Sequence, residues 1–250
     1  MSLILAKPAG QKLILKKDSV AATDTNIREV SLLLHGNGAN GSTTIADSSL
    51  NPKTVTAVGN AQISTAQSKF GGSSIAFDGT GDYLTIPQSS SFEFPGSFTI
   101  ECWAWLVSLP SAYNAFIESL NFNNEDAQWH FGVSNDNKLL FYYHYPSRGV
   151  TNSSSKSAAT LVTGQWNHYA VSRDASGSGR LFINGAQDGS FTEAGQFVNI
   201  QPNPYQVGRS KIGGSYSLGL NAYIDDLRIT KGVARYTANF TPPTAPFPDF

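Results

Sequence analysis

Short stretches of alternating apolar and polar residues make up most of this chain, and each is bounded by Gly, Asn, Asp or Ser. Phe98, Ile100, Cys102, Ala104 and Leu106 share one parity, with Thr99 and Glu101 on the other. Trp129, Phe131 and Val133 repeat the pattern, as do Leu181 and Ile183. A period of two puts alternate side chains on opposite faces of a strand, so one face of each stretch is buried. Strands are expected near residues 31–35, 60–66, 73–78, 82–87, 97–107, 114–120, 127–134, 137–145, 166–173, 179–184, 203–209 and 221–230. So many short, turn-bounded strands argue for a sandwich or barrel. No segment sustains a 3.6-residue period, so helices should be few and short.

Two local features refine this picture. Asn184-Gly185 follows Leu181-Phe182-Ile183, and Asn-Gly suits a type I′ hairpin turn because both central residues need positive φ. In Ala222-Tyr223-Ile224-Asp225-Asp226-Leu227-Arg228-Ile229 the parity fails, because Ile224 and Leu227 cannot face the same way in a regular strand. A bulge or a change of environment is expected at Asp225-Asp226.

The ends read differently. Leu3-Ile4-Leu5-Ala6-Lys7 and Leu13-Ile14-Leu15-Lys16-Lys17 flank Pro8-Ala9-Gly10, as a small hairpin or extended arm would. Lys7, Lys12, Lys16 and Lys17 precede the first acid, Asp18, and mark this arm either as a solubilised edge ribbon or as an anchor on a partner. Residues 18–29 read as a polar linker. The segment 237–250 carries Pro242, Pro243, Pro246 and Pro248, so it should run extended, with Phe240, Phe247 or Phe250 pinning it to the body. The expected division is an arm over 1–30, a β domain over 31–236 and a packed tail over 237–250.

Composition narrows the classes of function. Of 250 residues 14% are charged, against roughly 25% in typical soluble domains, so the solvent faces are neutral and polar. Seventeen basic and eighteen acidic residues give a net charge of -1, which disfavours nucleic acid as a partner. Cys102 is the single cysteine, so an intrachain disulfide is excluded; within Ile100-Glu101-Cys102-Trp103 it reads as a small buried hydrophobe. The first eight residues lack a basic region before a short apolar run and do not read as a secretory signal. No stretch approaches the roughly 18 apolar residues of a membrane span. Synthesis in a reducing compartment is expected.

Several pieces together resemble the laminin-G-like, concanavalin A-like lectin/glucanase domains. They are Leu32-Leu33-Leu34-His35-Gly36, Ile45-Ala46-Asp47, Ser68-Lys69-Phe70-Gly71-Gly72-Ser73 and Phe77-Asp78-Gly79-Thr80-Gly81-Asp82-Tyr83-Leu84. Phe98 to Trp103, Gly164-Gln165-Trp166-Asn167-His168-Tyr169, Leu181 to Gly185, Ala222 to Ile229 and Thr230 to Tyr236 complete the set. The resemblance implies an all-β, two-sheet antiparallel jelly-roll sandwich, here with an N-terminal extended arm. Phe240-Thr241-Pro242-Pro243 after Ala234-Arg235-Tyr236 is similar to versions found in bacteriophage virion and tail proteins. That likeness implies a virion protein bound to other virion components through its arm, as a homo-oligomer such as a trimer.

Fold alone does not choose among lectin, hydrolase and spacer. Related glucanases carry a Glu-x-Asp-x-x-Glu run on one strand, and none occurs here; Glu101, Glu118 and Glu125-Asp126 stand apart. His35, His130, His144 and His168 lack a Ser or Cys partner at a suggestive spacing, so no catalytic residue is assigned. The resemblance implies structural Ca²⁺, with Asp225 and Asp226 in the last strand and Asp47 and Asp78 in motifs that can approach a cation. The alternative is that Asp225 accepts backbone N–H groups at the bulge and Asp78-Gly79 makes a turn. For a polysaccharide ligand the candidates are Trp103, Trp105, His130, Tyr142 and His144, which lie opposite the apolar parity, with Arg148 on a rim loop. Were these on one outer face they would form an aromatic strip; the competing reading is plain packing.

Overall fold

The computed structural model describes residues 24–119, 128–145, 150–197, 203–212, 217 and 219–250. The strands are β1 (Val30–Leu34), β2 (Thr56–Val58), β3 (Gln62–Ser64), β4 (Ser74–Asp78) and β5 (Tyr83–Ile86). There follow β6 (Phe98–Leu106), β7 (Asn114–Glu118), β8 (Gln128–Val133), β9 (Lys138–Tyr145) and β10 (Val150–Thr160). The last are β11 (Trp166–Arg173), β12 (Ser178–Ile183), β13 (Ala186–Thr192), β14 (Tyr205–Val207) and β15 (Asn221–Lys231). Two 3-10 turns, Ile27–Glu29 and Ser90–Phe92, are the helical segments among the described residues. The arm, with Lys7, Lys12, Lys16 and Lys17, lies outside the described residues, as does Arg148.

The strands form two antiparallel sheets. The first runs β13-β12-β11-β6-β15-β4-β3, with β1 also on β15; the second runs β10-β9-β8-β7-β14-β5-β2. Alternation points to a sandwich or barrel and the family resemblance to a two-sheet jelly roll; a two-sheet antiparallel sandwich is the architecture observed. Phe98, Ile100, Cys102, Ala104 and Leu106 project inward from the first sheet and meet Trp129, Phe131, Val133 and Phe141 of the second in one continuous core.

The parity break in β15 is a bulge. Its pairing with β6 shifts between Asp225 and Arg228, and Asp226 takes φ 49°. The extra residue lets Ile224 and Leu227 both enter the core, although they are three apart. The same bulge divides one edge of β15 between two partners, β4 along Asn221 to Ile224 and β1 along Leu227 to Thr230. The Asn184-Gly185 turn also adopts the expected left-handed pair, with φ 51° and 79°. A Cβ at Gly185 would lie 1.9 Å from the Phe240 carbonyl oxygen, so this glycine serves both the turn and the close approach of the C-terminal segment.

Strands β2, β10 and β13 are not evident in the alternation. They are outer strands of their sheets, and β10 (Val-Thr-Asn-Ser-Ser-Ser-Lys-Ser-Ala-Ala-Thr) carries no apolar pattern because the positions it buries, Ser155 and Ser157, are serines. Residues 24–29, read as linker, are tied down: Asp24 Oδ2 lies 3.0 Å from Arg228 Nη1 and 2.9 Å from Arg235 Nη2.

Candidate functional site

The outer face of the first sheet is divided in two. Its half nearest the end of β15 is sealed by the C-terminal segment. Glu101, fully buried, accepts two hydrogen bonds from Arg228 (Nε 3.0 Å, Nη2 2.7 Å), one from Tyr236 Oη (2.7 Å) and one from His168 Nε2 (3.1 Å). Burial pushes the Glu101 carboxyl up, but Arg228, His168 and Tyr236 overcome it and hold it well below the usual carboxylate range. Phe240 stacks on Tyr236 with ring centroids 3.5 Å apart and packs against His168 and Phe182. Phe247 lies under the Arg228 guanidinium at 3.5 Å and joins Val30 and Leu33 in a small satellite core. Phe250, by contrast, is 54% exposed.

The other half of this face is open, and it carries a row of side chains set by strand register. Trp166 of β11 lies opposite Trp105 of β6, which lies opposite Tyr223 of β15, then Ala76 of β4 and Gln62 of β3. Directly paired residues share a face, so the register places three aromatic rings in line across three adjacent strands. All three are half-buried, and the Trp105 and Trp166 rings meet edge-on at 6.2 Å. Tyr223 borders a recess of about 360 Å³ lined also by Asn40, Asn60, Gln62, Asp82 and Asn221. A neighbouring recess of about 330 Å³ shares Asp78 and Asn221 and adds Ser108, Ser111 and Asn114. Amides, hydroxyls and carboxylates line both, without a lysine or arginine. An apolar ring face beside convergent amide and hydroxyl groups is the chemistry that grips a polyol ring, stacking on its C–H side and bonding its hydroxyls.

The expected aromatic strip is not one strip. Trp103 and Trp105 belong to the first sheet, whereas His130, Tyr142 and His144 stand on the outer face of the second, with the whole core between. Trp103 is also covered: Lys69 Nζ lies 3.8 Å from its ring centroid, Phe70 at 6.1 Å and His168 at 5.2 Å. His130 is fully buried, sharing Nδ1 between Glu118 Oε2 (3.0 Å) and Ser210 Oγ (3.3 Å). Serine and carboxylate on the same ring nitrogen cannot form a proton relay, which needs one partner on each. This trio instead fastens the 209–212 segment, whose Lys211 N–H also donates to Glu118 Oε1 at 3.0 Å. Tyr142 packs with Leu140, Tyr113 and Ile212, and burial raises its hydroxyl pKa; His144 is half-buried, and burial lowers its imidazole pKa. Of the proposed ligand residues that the structure describes, Trp105 alone joins the open row. Trp166 and Tyr223 were missed because their alignment depends on the register of three strands distant in sequence.

Each of the four candidate calcium aspartates is engaged by hydrogen bonds within the fold. Asp47 accepts backbone N–H groups of Leu33, Ser49 and Lys53, and Asp78 Oδ1 caps its own turn at Thr80 N, 2.8 Å away. Asp226 takes His35 Nδ1 on one oxygen and Phe247 N on the other. Asp225 Oδ2 accepts Lys69 N and Phe70 N at 2.8 and 3.0 Å, the backbone role foreseen for it at the bulge, while its buried Oδ1 has no hydrogen-bond partner. Burial, with Asp226 alongside, pushes the Asp225 carboxyl up to about 7. Among the described residues no three His, Cys, Asp or Glu side chains gather as metal ligands.

A family model, the laminin-G type of the concanavalin A-like lectin/glucanases superfamily, matches residues 78–235. The chain belongs to that superfamily. Several solved structures superimpose on the chain. The binding domain of Paraclostridial Mosquitocidal Protein 1 superimposes with TM-score 0.62 at 15% identity, covering 82% of this chain and 49% of that one. The binding domain of botulinum neurotoxin DC, solved in complex with rat synaptotagmin II, gives 0.60 at 17% identity, covering 83% and 49%. Domain 4 of an extracellular arabinanase from Geobacillus stearothermophilus, solved with arabinotriose, gives 0.59 at 17% identity, covering 81% and 92%. The chain thus spans about half the length of the toxin binding domains. These likenesses establish the fold. No curated protein matches the chain significantly in sequence.

Proposed function

We propose that this concanavalin A-like domain is a non-catalytic adhesion module that holds host surface glycans on the Trp166–Trp105–Tyr223 row and its polar recesses. The observation that carries the reading is that row, three half-buried rings aligned by register beside amide- and hydroxyl-lined recesses. The chain's two buried strand glutamates support a non-hydrolytic role: Glu101 and Glu118 stand on the outer faces of different sheets, each consumed by internal hydrogen bonds. A neighbour of the same fold solved in complex with arabinotriose supports the reading.

The setting we propose is a bacteriophage tail or capsid, with residues 1–30 as the tether to other virion proteins and a homo-oligomer, such as a trimer, as the displayed unit. Support comes from the resemblance of Ala234-Arg235-Tyr236 and Phe240-Thr241-Pro242-Pro243 to virion versions of the fold. Weak single contacts then suffice, because a particle carrying many copies multiplies them through effective concentration. The test is a glycan array of bacterial polysaccharides followed by titration of the best binder against Trp105→Ala and Trp166→Ala. Binding weakened about tenfold or more in each, roughly 1.4 kcal/mol, is expected. A silent array would sink adhesion and leave a purely structural decoration role.

A further inference from the structure

At the other end of β15 from the aromatic row lies a recess of opposite character. Lys231 is eight residues beyond Tyr223, so the two ends stand roughly 25 Å apart along the strand. The recess, about 250 Å³, is lined by Arg28, Lys53 and Lys231 together with Ser90, Ser91 and Asn51. Glu29 is the single acid in this lining. The cations rest on neutral partners. Lys231 Nζ donates to the Ser90 carbonyl at 2.6 Å, Lys53 Nζ donates to the Ser31 carbonyl, and the Arg28 guanidinium lies 5.5 Å from the Phe250 ring.

A carbonyl takes one of an ammonium's three protons and none of its charge, so each lysine keeps donors and a positive charge for something else. The buried acid Asp47 is already engaged, because both its oxygens accept backbone N–H groups. Burial accordingly holds the Lys53 ammonium below the ordinary lysine range even with Asp47 near. Three cations around so small a recess match a compact, multiply charged group better than an extended chain.

We infer that the recess formed by Arg28, Lys53, Lys231 and the Ser90-Ser91 turn is a binding site for a phosphate or sulfate group, separate from the glycan row. Its ligand is a tetrahedral oxyanion, held by ammonium and guanidinium donors with serine hydroxyls at the rim. The group can arrive as a free ion or as a phosphate ester, and the two sources are separable in one experiment.

The whole chain, isotopically labelled, is titrated by NMR with inorganic phosphate, inorganic sulfate, glycerol phosphate and sodium chloride at matched ionic strength. Saturable shifts at the Lys53, Ser90 and Ser91 amides with the oxyanions, and none with chloride, are expected. Glycerol phosphate binding as well as phosphate assigns an ester as the source; preference for the free ions assigns those. Lys231→Gln, a change at a half-buried strand end whose fold is checked by circular dichroism, should weaken saturation at least fivefold, as should Arg28→Gln. Lys138→Gln, which removes the same charge on β9, should leave it unchanged. Equal response to chloride, or equal weakening by Lys138→Gln, overturns the site in favour of a general ionic atmosphere.

Discussion

Replacing Arg228 with leucine should expose how the sealed half of the first sheet is held. The substitution removes both guanidinium hydrogen bonds to Glu101, the contact to Asp24 at 3.0 Å and the cation lying on Phe247. Glu101 has no exposure to water, so its charge loses its guanidinium partner inside the protein, which costs about 3–5 kcal/mol. That is a large part of a typical total stability of about 5–15 kcal/mol, and in a chain of this size it lowers Tm by roughly 6–20 °C. The pH dependence carries the sign of the argument. In the wild type Glu101 is depressed, so its stabilisation is present above the unfolded carboxyl pKa and lost only as strong acid reaches the folded one. In Arg228→Leu the burial that raises the carboxyl is opposed only by His168 and Tyr236, so the deficit should be largest at neutral pH and shrink toward pH 4. Glu101→Gln combined with Arg228→Leu removes the stranded charge and should recover at least half the loss. Urea melts at pH 7 and pH 4.5 on these three proteins measure all of this. Arg228→Leu within 1 kcal/mol of wild type at pH 7, or a double variant no better than the single, would refute the reasoning.

Other outcomes follow from single side chains. Gly185→Ala combines a left-handed φ with a collision against the Phe240 carbonyl, so it should cost about 1–3 kcal/mol and loosen the C-terminal segment, read by urea melts and by protease cutting after Phe240. Asp225→Asn should stabilise the protein at pH 8 and be indistinguishable at pH 3, because the folded carboxyl titrates near 7 and its ionised form is disfavoured by burial; a variant less stable at pH 8 would contradict this. His35 bridges Asp226 and Asp249 with both ring nitrogens, which requires the doubly protonated ring, and although burial pushes it down the two carboxylates raise it above its ordinary value. Its stabilisation is therefore complete below pH 6.5 and lost as pH rises through the folded value, and Asp249→Asn should flatten that slope in a series of thermal melts.

Alternation revealed which side of each central strand is buried but could not reveal which sheet the strand joins. Phe98 to Leu106 and Trp129 to Val133 read identically, yet they face each other across the core, so the aromatics on their outer sides end on opposite surfaces. Parity also cannot tell a covered outer face from an open one. Trp103 and Trp105 share a side of β6; Lys69 and Phe70 close over the first and leave the second half-exposed. The bulge at Asp225-Asp226 was legible because two core residues three apart demand it. The outermost strands were not, since a segment such as Ser153 to Ser157 buries serines, Ser155 and Ser157, and so leaves no apolar pattern. Trp166 and Tyr223 needed register, which depends on pairing between segments more than fifty residues apart.

The seam formed by Asp24, Tyr236 and Phe247 also sets an orientation. Both ends of the described fold leave from the cationic pole, so a linkage through either one would hold that pole inward, like a bulb in its socket. The Trp166–Trp105–Tyr223 row would then be the part that first touches whatever the carrier meets.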